Sequence, residues 1–373
     1  MPGISEDSAA AQITRLQNGV ISPHLLRPCT IGDGIIPLPT DLFDLEEEFL
    51  KASKGGRIIH FIPASGAATR MGLGDLPKAL APFHRYGSRT VTPIEEHVRE
   101  AAALAGQGVE SRLHFTISPE HEVLFQRHVE ETLKVLRVEG IKAEVTFSTQ
   151  DPATQTLALD ETGEPFRDAS GNLLLRPGGH GALLSNLESC DAEFVWIHNV
   201  DNIAVESHRA KDRRVHRALA GKLIRMARER TVNSGPLRVC GMVPNTGEPG
   251  GGPFWISTAD GEKIRIVESA EVNGSDLSQK KIFNAATHFN PVDMICTLRE
   301  PSGKPYRLHD FSDPNACLIT KKIHEGRSIT ALEWPGLWNG GMAGWDTVCV
   351  EIPLSMFTPV KTMADLQRPE HQG

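Results

Sequence analysis

Cysteine is sparse and unpaired in this sequence: Cys29, Cys190, Cys240, Cys296, Cys317 and Cys349 are scattered, with no C-x-x-C pair. That spacing argues against a zinc knot or a disulfide framework and predicts small buried side chains in a reducing compartment. No apolar run approaches the roughly 20 residues that a membrane-spanning helix needs. The start, Met1-Pro-Gly-Ile-Ser-Glu, has neither the basic region nor the apolar core of a signal peptide. A cytoplasmic protein without a membrane partner is expected. Basic excess is missing too, since 39 Lys and Arg stand against 47 Asp and Glu, a net charge of -8. This balance argues against a general nucleic-acid surface, so any polyanion site must be a small local pocket. There is no internal repeat, no G-x-x-x-x-G-K-[ST] phosphate loop and, despite fifteen histidines, no H-E-x-x-H.

What is present is an ordinary globular composition, 39% hydrophobic and 23% charged over 373 residues. Only the first dozen residues look too polar and small to be ordered. Apolar residues at helical spacing predict a helix over Leu38–Ser53, and the run Arg57–Pro63 predicts a buried parallel strand. Thr92, Pro93 and Glu95 supply a cap, a first-turn proline and a capping-box glutamate for a helix to Ala105. Alternation then predicts strands over Ser111–Ser118, Ala143–Ser148 and Ala192–Asn199, with helices over Pro119–Glu139 and Ser207–Arg230. Two turn signals within Leu157–Leu175 predict a hairpin. The expected fold is α/β, a Rossmann-like, mostly parallel central sheet flanked by helices, with antiparallel additions in the C-terminal third.

Open α/β sheets bind ligands beyond the carboxyl ends of their parallel strands, and the loop after Ile62 is the first such place. In Ala64, Ser65, Gly66, Ala67, Ala68 and Thr69 little side-chain bulk stands between backbone N–H groups and an anion, and Arg70 adds a bidentate charge. Alone, such a turn is equally well simple packing. In Leu76-Pro-Lys-Ala-Leu80, Pro77 fixes the backbone ahead of Lys78, which can return to the same phosphates or stay solvated.

Ala64-Ser-Gly-Ala-Ala-Thr-Arg-Met71 followed by Leu76-Pro-Lys-Ala-Leu80 resembles the signature of the UDP-sugar pyrophosphorylase family. Further blocks follow in the same order: Arg176-Pro-Gly-Gly-His-Gly-Ala-Leu183, Asn199-Val-Asp-Asn202, Ile266-Val-Glu-Ser-Ala-Glu-Val272, His288-Phe-Asn-Pro-Val-Asp-Met-Ile295 and Phe357-Thr-Pro-Val-Lys-Thr-Met-Ala-Asp-Leu366. The sequence departs from the family at Ala68, where a third glycine is usual, and at Ser269, where an aromatic is common.

The resemblance implies roles. Arg70, Lys78 and Lys361 would neutralise the reacting phosphates; Asp201 would hold Mg2+ as cofactor; Pro177, Gly178, Gly179, His180 and Gln150 would take the nucleotide; Glu268, Glu271 and Asn290 would bind sugar hydroxyls. The residues alone leave other uses open: a capping aspartate at 201, a tight turn at Gly178–Gly179, a solvated Lys361, solvated glutamates at a strand end. Gly247–Trp255 reads as a closing loop or a flexible connection.

The implied organisation is an N-terminal extension and helix (1–54), a nucleotide-binding catalytic core (55–238) and an acceptor-binding region (239–373). The implied reaction is Mg2+-dependent condensation of a nucleoside triphosphate, first of all UTP, with a sugar 1-phosphate, releasing pyrophosphate. CTP or another triphosphate with a polyol, cyclitol or phosphonate partner is the alternative, as is a non-catalytic nucleotide-sugar binder, which Ala68 motivates.

Overall fold

The computed structural model describes residues 4–19, 21–247, 250–313, 315–334 and 336–373. Ten strands form its central sheet: β1 (Thr30–Ile31), β2 (Gly34–Ile36), β3 (Ile58–Pro63), β4 (Ser111–Ile117), β5 (Ala143–Thr149), β6 (Phe194–His198), β7 (Leu237–Pro244), β8 (His288–Phe289), β9 (Asp293–Thr297) and β10 (Asp346–Glu351). Their order is β1-β2-β10-β7-β9-β6-β3-β4-β5, with β8 beside β7. The short β8 and the central β9 run antiparallel to their neighbours. The other pairings are parallel, as the α/β pattern predicts.

Five helices among the described residues have twelve residues or more: α1 (Glu6–Asn18), α2 (Phe43–Lys54), α3 (Pro93–Ala105), α4 (Glu122–Val138) and α5 (Arg213–Arg228). The central strands read as continuous apolar runs because both faces are covered. Ile59, Phe61, Val195 and Ile197 pack on one side with Met242, Met294 and Trp338. Ile58, Phe194 and Trp196 pack on the other against Phe49 of α2 and Leu219 and Leu223 of α5. The two helices meet at Gly221, where a Cβ would lie 1.8 Å from the Leu45 carbonyl oxygen.

The antiparallel additions are a three-stranded sheet of Leu25–Pro28, Gly252–Thr258 and Gly261–Val267, and a four-stranded sheet of Leu175–Arg176, Thr156–Leu159, Arg327–Glu333 and Leu318–His324. The expected hairpin is there: Leu157 pairs with Leu175 around two turns in which Asp160 and Asp168 accept backbone N–H bonds. All six cysteines are free, five buried and Cys190 partly so. The central sheet takes strands from all three segments of the sequence division, and β7 runs across residues 238 and 239.

Three expectations are corrected. The first dozen residues are not all unstructured: Ser5 caps α1, and Gln12 pairs both ends of its amide with the backbone at Gln155 and Leu157, fastening the helix along a strand edge. The helix expected over Ser207–Arg230 breaks into Glu206–Arg209 and α5, because Arg209 turns inward to Glu96 and Glu100 at 2.6 and 2.7 Å. Within Gly247–Trp255, residues 248 and 249 lie outside the described ones, while Gly252–Trp255 belongs to a strand. There a Cβ on Gly251 or Gly252 would meet Ile266 at 2.7 Å or Phe254 at 3.0 Å, so these glycines serve close packing.

Candidate active site at the carboxyl edge of the sheet

β3 and β6 lie side by side and parallel, so the loops leaving them, 64–69 and 199–202, open next to one another. β4 and β5 continue the parallel series, which brings Gln150 to the same edge. β9 runs the other way, so it is its start, just after Asn290, that reaches this edge beside His198. The chain that leaves β10 arrives there too and continues to Lys361.

Asp201 is the meeting point. Its Oδ2 accepts from Lys78 Nζ at 2.7 Å and from Lys361 Nζ at 2.9 Å, joining three motifs far apart in the sequence. Burial pushes the Asp201 carboxyl up, and Lys361 and then Lys78 pull it below the ordinary carboxylate range. Backbone bonds fix the arrangement: Val360 N–H donates to the Asp201 carbonyl at 2.9 Å, and Asn202 Oδ1 accepts from Thr358 N–H at 2.8 Å. One carboxylate between two ammonium groups carries a net charge of about +1, which suits an anionic ligand.

The small-residue loop joins this cluster through its backbone. Lys78 N–H donates to the Gly66 carbonyl and Ala68 N–H to the Leu76 carbonyl, both at 2.8 Å, which ties the loop to the Pro77-Lys78 step. Ala64 is buried, whereas Ser65, Gly66, Ala67 and Thr69 are exposed. Among the described residues the amides of Ser65, Gly66 and Ala67 donate to no protein acceptor, so three adjacent donors face outward. Arg70 is exposed and makes no ion pair among those residues. Ala68 has φ -86° and ψ 28°, within reach of any L-residue, and its methyl packs with Met71, Phe83, Ile203, Val360 and Leu366. Its side chain therefore points into the core and away from the exposed amides.

A second group gathers around the segment that leaves β5. Gln150 Nε2 donates to Thr154 Oγ1 at 3.0 Å, the Thr154 carbonyl accepts from Trp334 Nε1 at 2.9 Å, and Trp334 N–H donates to the Gly178 carbonyl at 2.8 Å. A Cβ on Gly178 would sit 2.4 Å from the Thr154 carbonyl oxygen, and Gly179 has φ +78°, so both glycines are required by the backbone itself. Pro177 is exposed, and the exposed His180 ring lies 5.0 Å from that of Trp338.

The residues expected to bind sugar hydroxyls behave differently. Glu271 is 3% exposed; Oε1 accepts from Arg265 at 3.0 Å, and Oε2 accepts from Glu268 N–H at 2.9 Å and Asn339 Nδ2 at 2.7 Å. Asn290 is 4% exposed, donating to the Gly241 carbonyl and accepting from Val292 N–H, which steadies Val292 at φ 58°. Glu268 is partly exposed, accepts from Trp338 Nε1 at 3.3 Å, and has its carboxyl raised by burial. Trp334, Trp338 and Asn339 were missed in the sequence. Two of the chain's five tryptophans and three glycines within residues 334–342 are the signal that marks them.

For a divalent cation, the described residues hold no group of three or more His, Cys, Asp and Glu side chains able to cage it. A magnesium that bridges substrate phosphates needs only one or two carboxylates, and Asp201 Oδ1 makes no hydrogen bond among the described residues. The donor chemistry fits magnesium held jointly with a phosphorylated ligand.

A family model described as "Domain of unknown function (DUF4301)" matches the chain over residues 1–73, 71–235 and 226–372. The chain belongs to the DUF4301 family. No curated protein matches this DUF4301 chain in sequence. Solved structures do resemble it. The UDP-N-acetylglucosamine pyrophosphorylase of Trypanosoma brucei, in complex with an inhibitor, is 17% identical, with a TM-score of 0.62 over 95% of this chain and 71% of that one. The UDP-glucose pyrophosphorylase of Leishmania major, a point mutant in complex with UDP-glucose, is 16% identical, with a TM-score of 0.56 over 95% and 73%. At that identity the likeness establishes a shared fold, the one the sequence resemblance implied. No helix of the described residues is long and apolar enough to cross a membrane.

Proposed function

We propose that the protein is a nucleotidyltransferase of the pyrophosphorylase type, joining a nucleoside triphosphate, first of all UTP, to a sugar 1-phosphate and releasing pyrophosphate. The observation that carries this reading is the convergence of Lys78 and Lys361 on one oxygen of Asp201, beside the outward-facing amides of Ser65, Gly66 and Ala67. The fold shared with UDP-sugar pyrophosphorylases supports it.

In the proposed reaction a phosphate oxygen of the acceptor attacks the α-phosphorus in line, a P–O bond forms, and the bond to pyrophosphate breaks. No general base is needed because the nucleophile is already anionic. The loop amides and Arg70 would hold the triphosphate, and Lys78 and Lys361 would move from Asp201 onto its oxygens as charge develops. Asp201, so released, would hold magnesium, which when bound neutralises charge on the departing pyrophosphate. Gln150, Gly178 and Gly179 would flank the base, with His180 beside the ribose. Glu268 would take acceptor hydroxyls, with Glu271 as its support, and Asn290 would shape the same region through its bonds to Gly241 and Val292.

A non-catalytic binder of nucleotide sugars is the alternative reading, and the buried methyl of Ala68 bears only on the packing of the loop. The test is a matrix of nucleoside triphosphates against phosphorylated sugars, polyols and phosphonates, read as pyrophosphate release with and without magnesium. Turnover with UTP and a sugar 1-phosphate is the expected result. Binding of nucleotide sugar with no turnover in either direction for any pair would overturn it.

A further inference from the structure

We propose that His371 is a positioning residue for Lys361, held to the body of the protein by His84 and Glu96. The inference rests on the reading of Lys361 as a phosphate-contacting cation. Lys361 sits at the end of an extended segment whose one sheet-like partner among the described residues is the Asp201–Asn202 step, through the Asn202–Pro359 bridge. A lysine on so short a support has several rotatable bonds to immobilise, and a shift of about 1 Å at a reacting centre can cost about 100-fold in rate. Something must hold the other side.

The chain supplies it by folding back under its own segment. Asp365 Oδ2 accepts from the amides of Lys361 and Thr362 at 2.9 and 2.7 Å, and the Arg368 guanidinium donates to the Pro359 carbonyl. The turn Pro369–His371 then buries His371, 2% exposed, against His84, with its Nε2 left without a hydrogen bond among the described residues. The His371 ring stacks on His84 with centroids 5.2 Å apart, its Nδ1 2.9 Å from His84 Nε2. His84 Nδ1 in turn lies 2.6 Å from Glu96 Oε1, and Glu96 is fixed in α3 by Tyr86 Oη at 2.8 Å and Arg209 at 2.6 Å. Val205 N–H donates to the Glu370 carbonyl at 3.0 Å, tying the same turn to the chain that follows Asp201.

The turn that holds the Lys361 segment through Asp365 and Arg368 is therefore anchored at its end, through His371, His84 and Glu96, to α3. An apolar plug would fill this space as well. Buried polar groups whose partners must line up do something a plug does not, since they fix direction as well as depth. The structure thus gives His371 the task of setting where the Lys361 ammonium stands over Asp201.

The experiment uses the full chain. Labelling of Lys361 by an amine-reactive reagent is followed by mass spectrometry, with exposed Lys134 as reference, alongside turnover and triphosphate affinity. In His371→Ala, Lys361 labelling should rise several-fold and kcat fall about tenfold or more, with triphosphate Kd nearly unchanged. His371→Asn, which keeps an acceptor for His84, should recover most of both. In a Lys361→Met background, His371→Ala should cost no further rate. If His371→Ala does not fold, His371→Phe keeps the ring volume without the nitrogens and should give the same labelling rise. Unchanged Lys361 labelling in a folded variant, or an equal rate loss in the Lys361→Met background, would overturn the proposal. A wild-type protein without transferase turnover would sink the proposed function alone, and the labelling would still decide the role of His371.

Discussion

The phosphate side and the acceptor side of the candidate site were read from the same kind of motif, yet they spend their polar atoms in opposite ways. Around Asp201 part of the polar set is left over: three loop amides without a protein acceptor and an Arg70 without an ion pair among the described residues, next to two ammonium groups that share one buried carboxylate oxygen. Around Glu271 the polar atoms point inward, to Arg265, Asn339 and the Glu268 amide. A glutamate in a ligand-like motif can thus serve the ligand through its neighbour, because its own oxygens already hold the loop that presents that neighbour.

The sharpest way to break this comparison is Glu271→Ala. Losing Glu271 leaves buried Arg265 with only the partly exposed Asp313 at 3.3 Å, and about 3 kcal/mol of stability should go with it. Denaturant unfolding reads it, and a variant that unfolds like the wild type while losing acceptor affinity would make Glu271 a ligand contact after all. Asp201→Asn is the mirror experiment. Asparagine keeps an acceptor for Lys78 and Lys361 but not the charge they share, so the unfolding midpoint should fall less than in Glu271→Ala, while pyrophosphate release drops about 10²–10³-fold, by analogy with loss of a single preorganised electrostatic group. A variant that keeps full turnover would remove Asp201 from the chemistry.

Acid offers a third contrast. Burial pushes His60 down to about 3 and His97 and His371 to about 4, and all three lie under the phosphate side. Groups held below their unfolded value of 6.5 stay neutral in the fold but take up protons when it opens. The stability they contribute is full above pH 6.5 and is lost progressively as pH falls toward 4. His216 opposes this in part: burial lowers it, but Asp293 raises it overall, so its contribution is present at low pH and lost as pH rises. At pH 5 relative to pH 7.5, hydrogen-exchange protection, taken relative to the intrinsic rate at each pH, should fall more at Val200–Asn202 than at Ile266–Glu271. An equal fall would show that the two sides open together.

The smaller tests stay at the acceptor. Glu268→Gln keeps the bond from Trp338 and should raise KM for the acceptor about tenfold with little change in kcat, on the expectation that one charged hydrogen bond is lost. A larger effect on kcat than on KM would move Glu268 toward the reacting centre.

Sequence made the central sheet legible because two-sided burial writes β3 and β6 as unbroken apolar runs and proline and threonine mark the start of α3. The resemblance to the UDP-sugar pyrophosphorylase family put Lys78, Asp201 and Lys361 into one group, which the structure brings together. The sequence could not show that Asn290 and Glu271 are consumed within the fold, because the partners that consume them, Gly241 and Asn339, lie 49 and 68 residues away. Nor could it show α1, whose polar Gln12 looks solvated until a strand edge 143 residues on takes up its amide.

The residue that departs from the family pattern provides the gentlest test. Ala68→Gly restores the usual glycine, and if the methyl stood in the way of phosphate, triphosphate affinity should rise. The geometry says otherwise. At φ -86° glycine gains nothing from its extra freedom, and the lost methyl leaves a gap among Met71, Phe83, Val360 and Leu366. The expected result is a loss of about 0.5–1 kcal/mol in stability with triphosphate affinity unchanged or slightly weaker, measured by thermal unfolding and calorimetric titration. Tighter binding by the glycine variant would mean that the loop's exposed amides are held back by that methyl, and the outward character of the phosphate side would need another explanation.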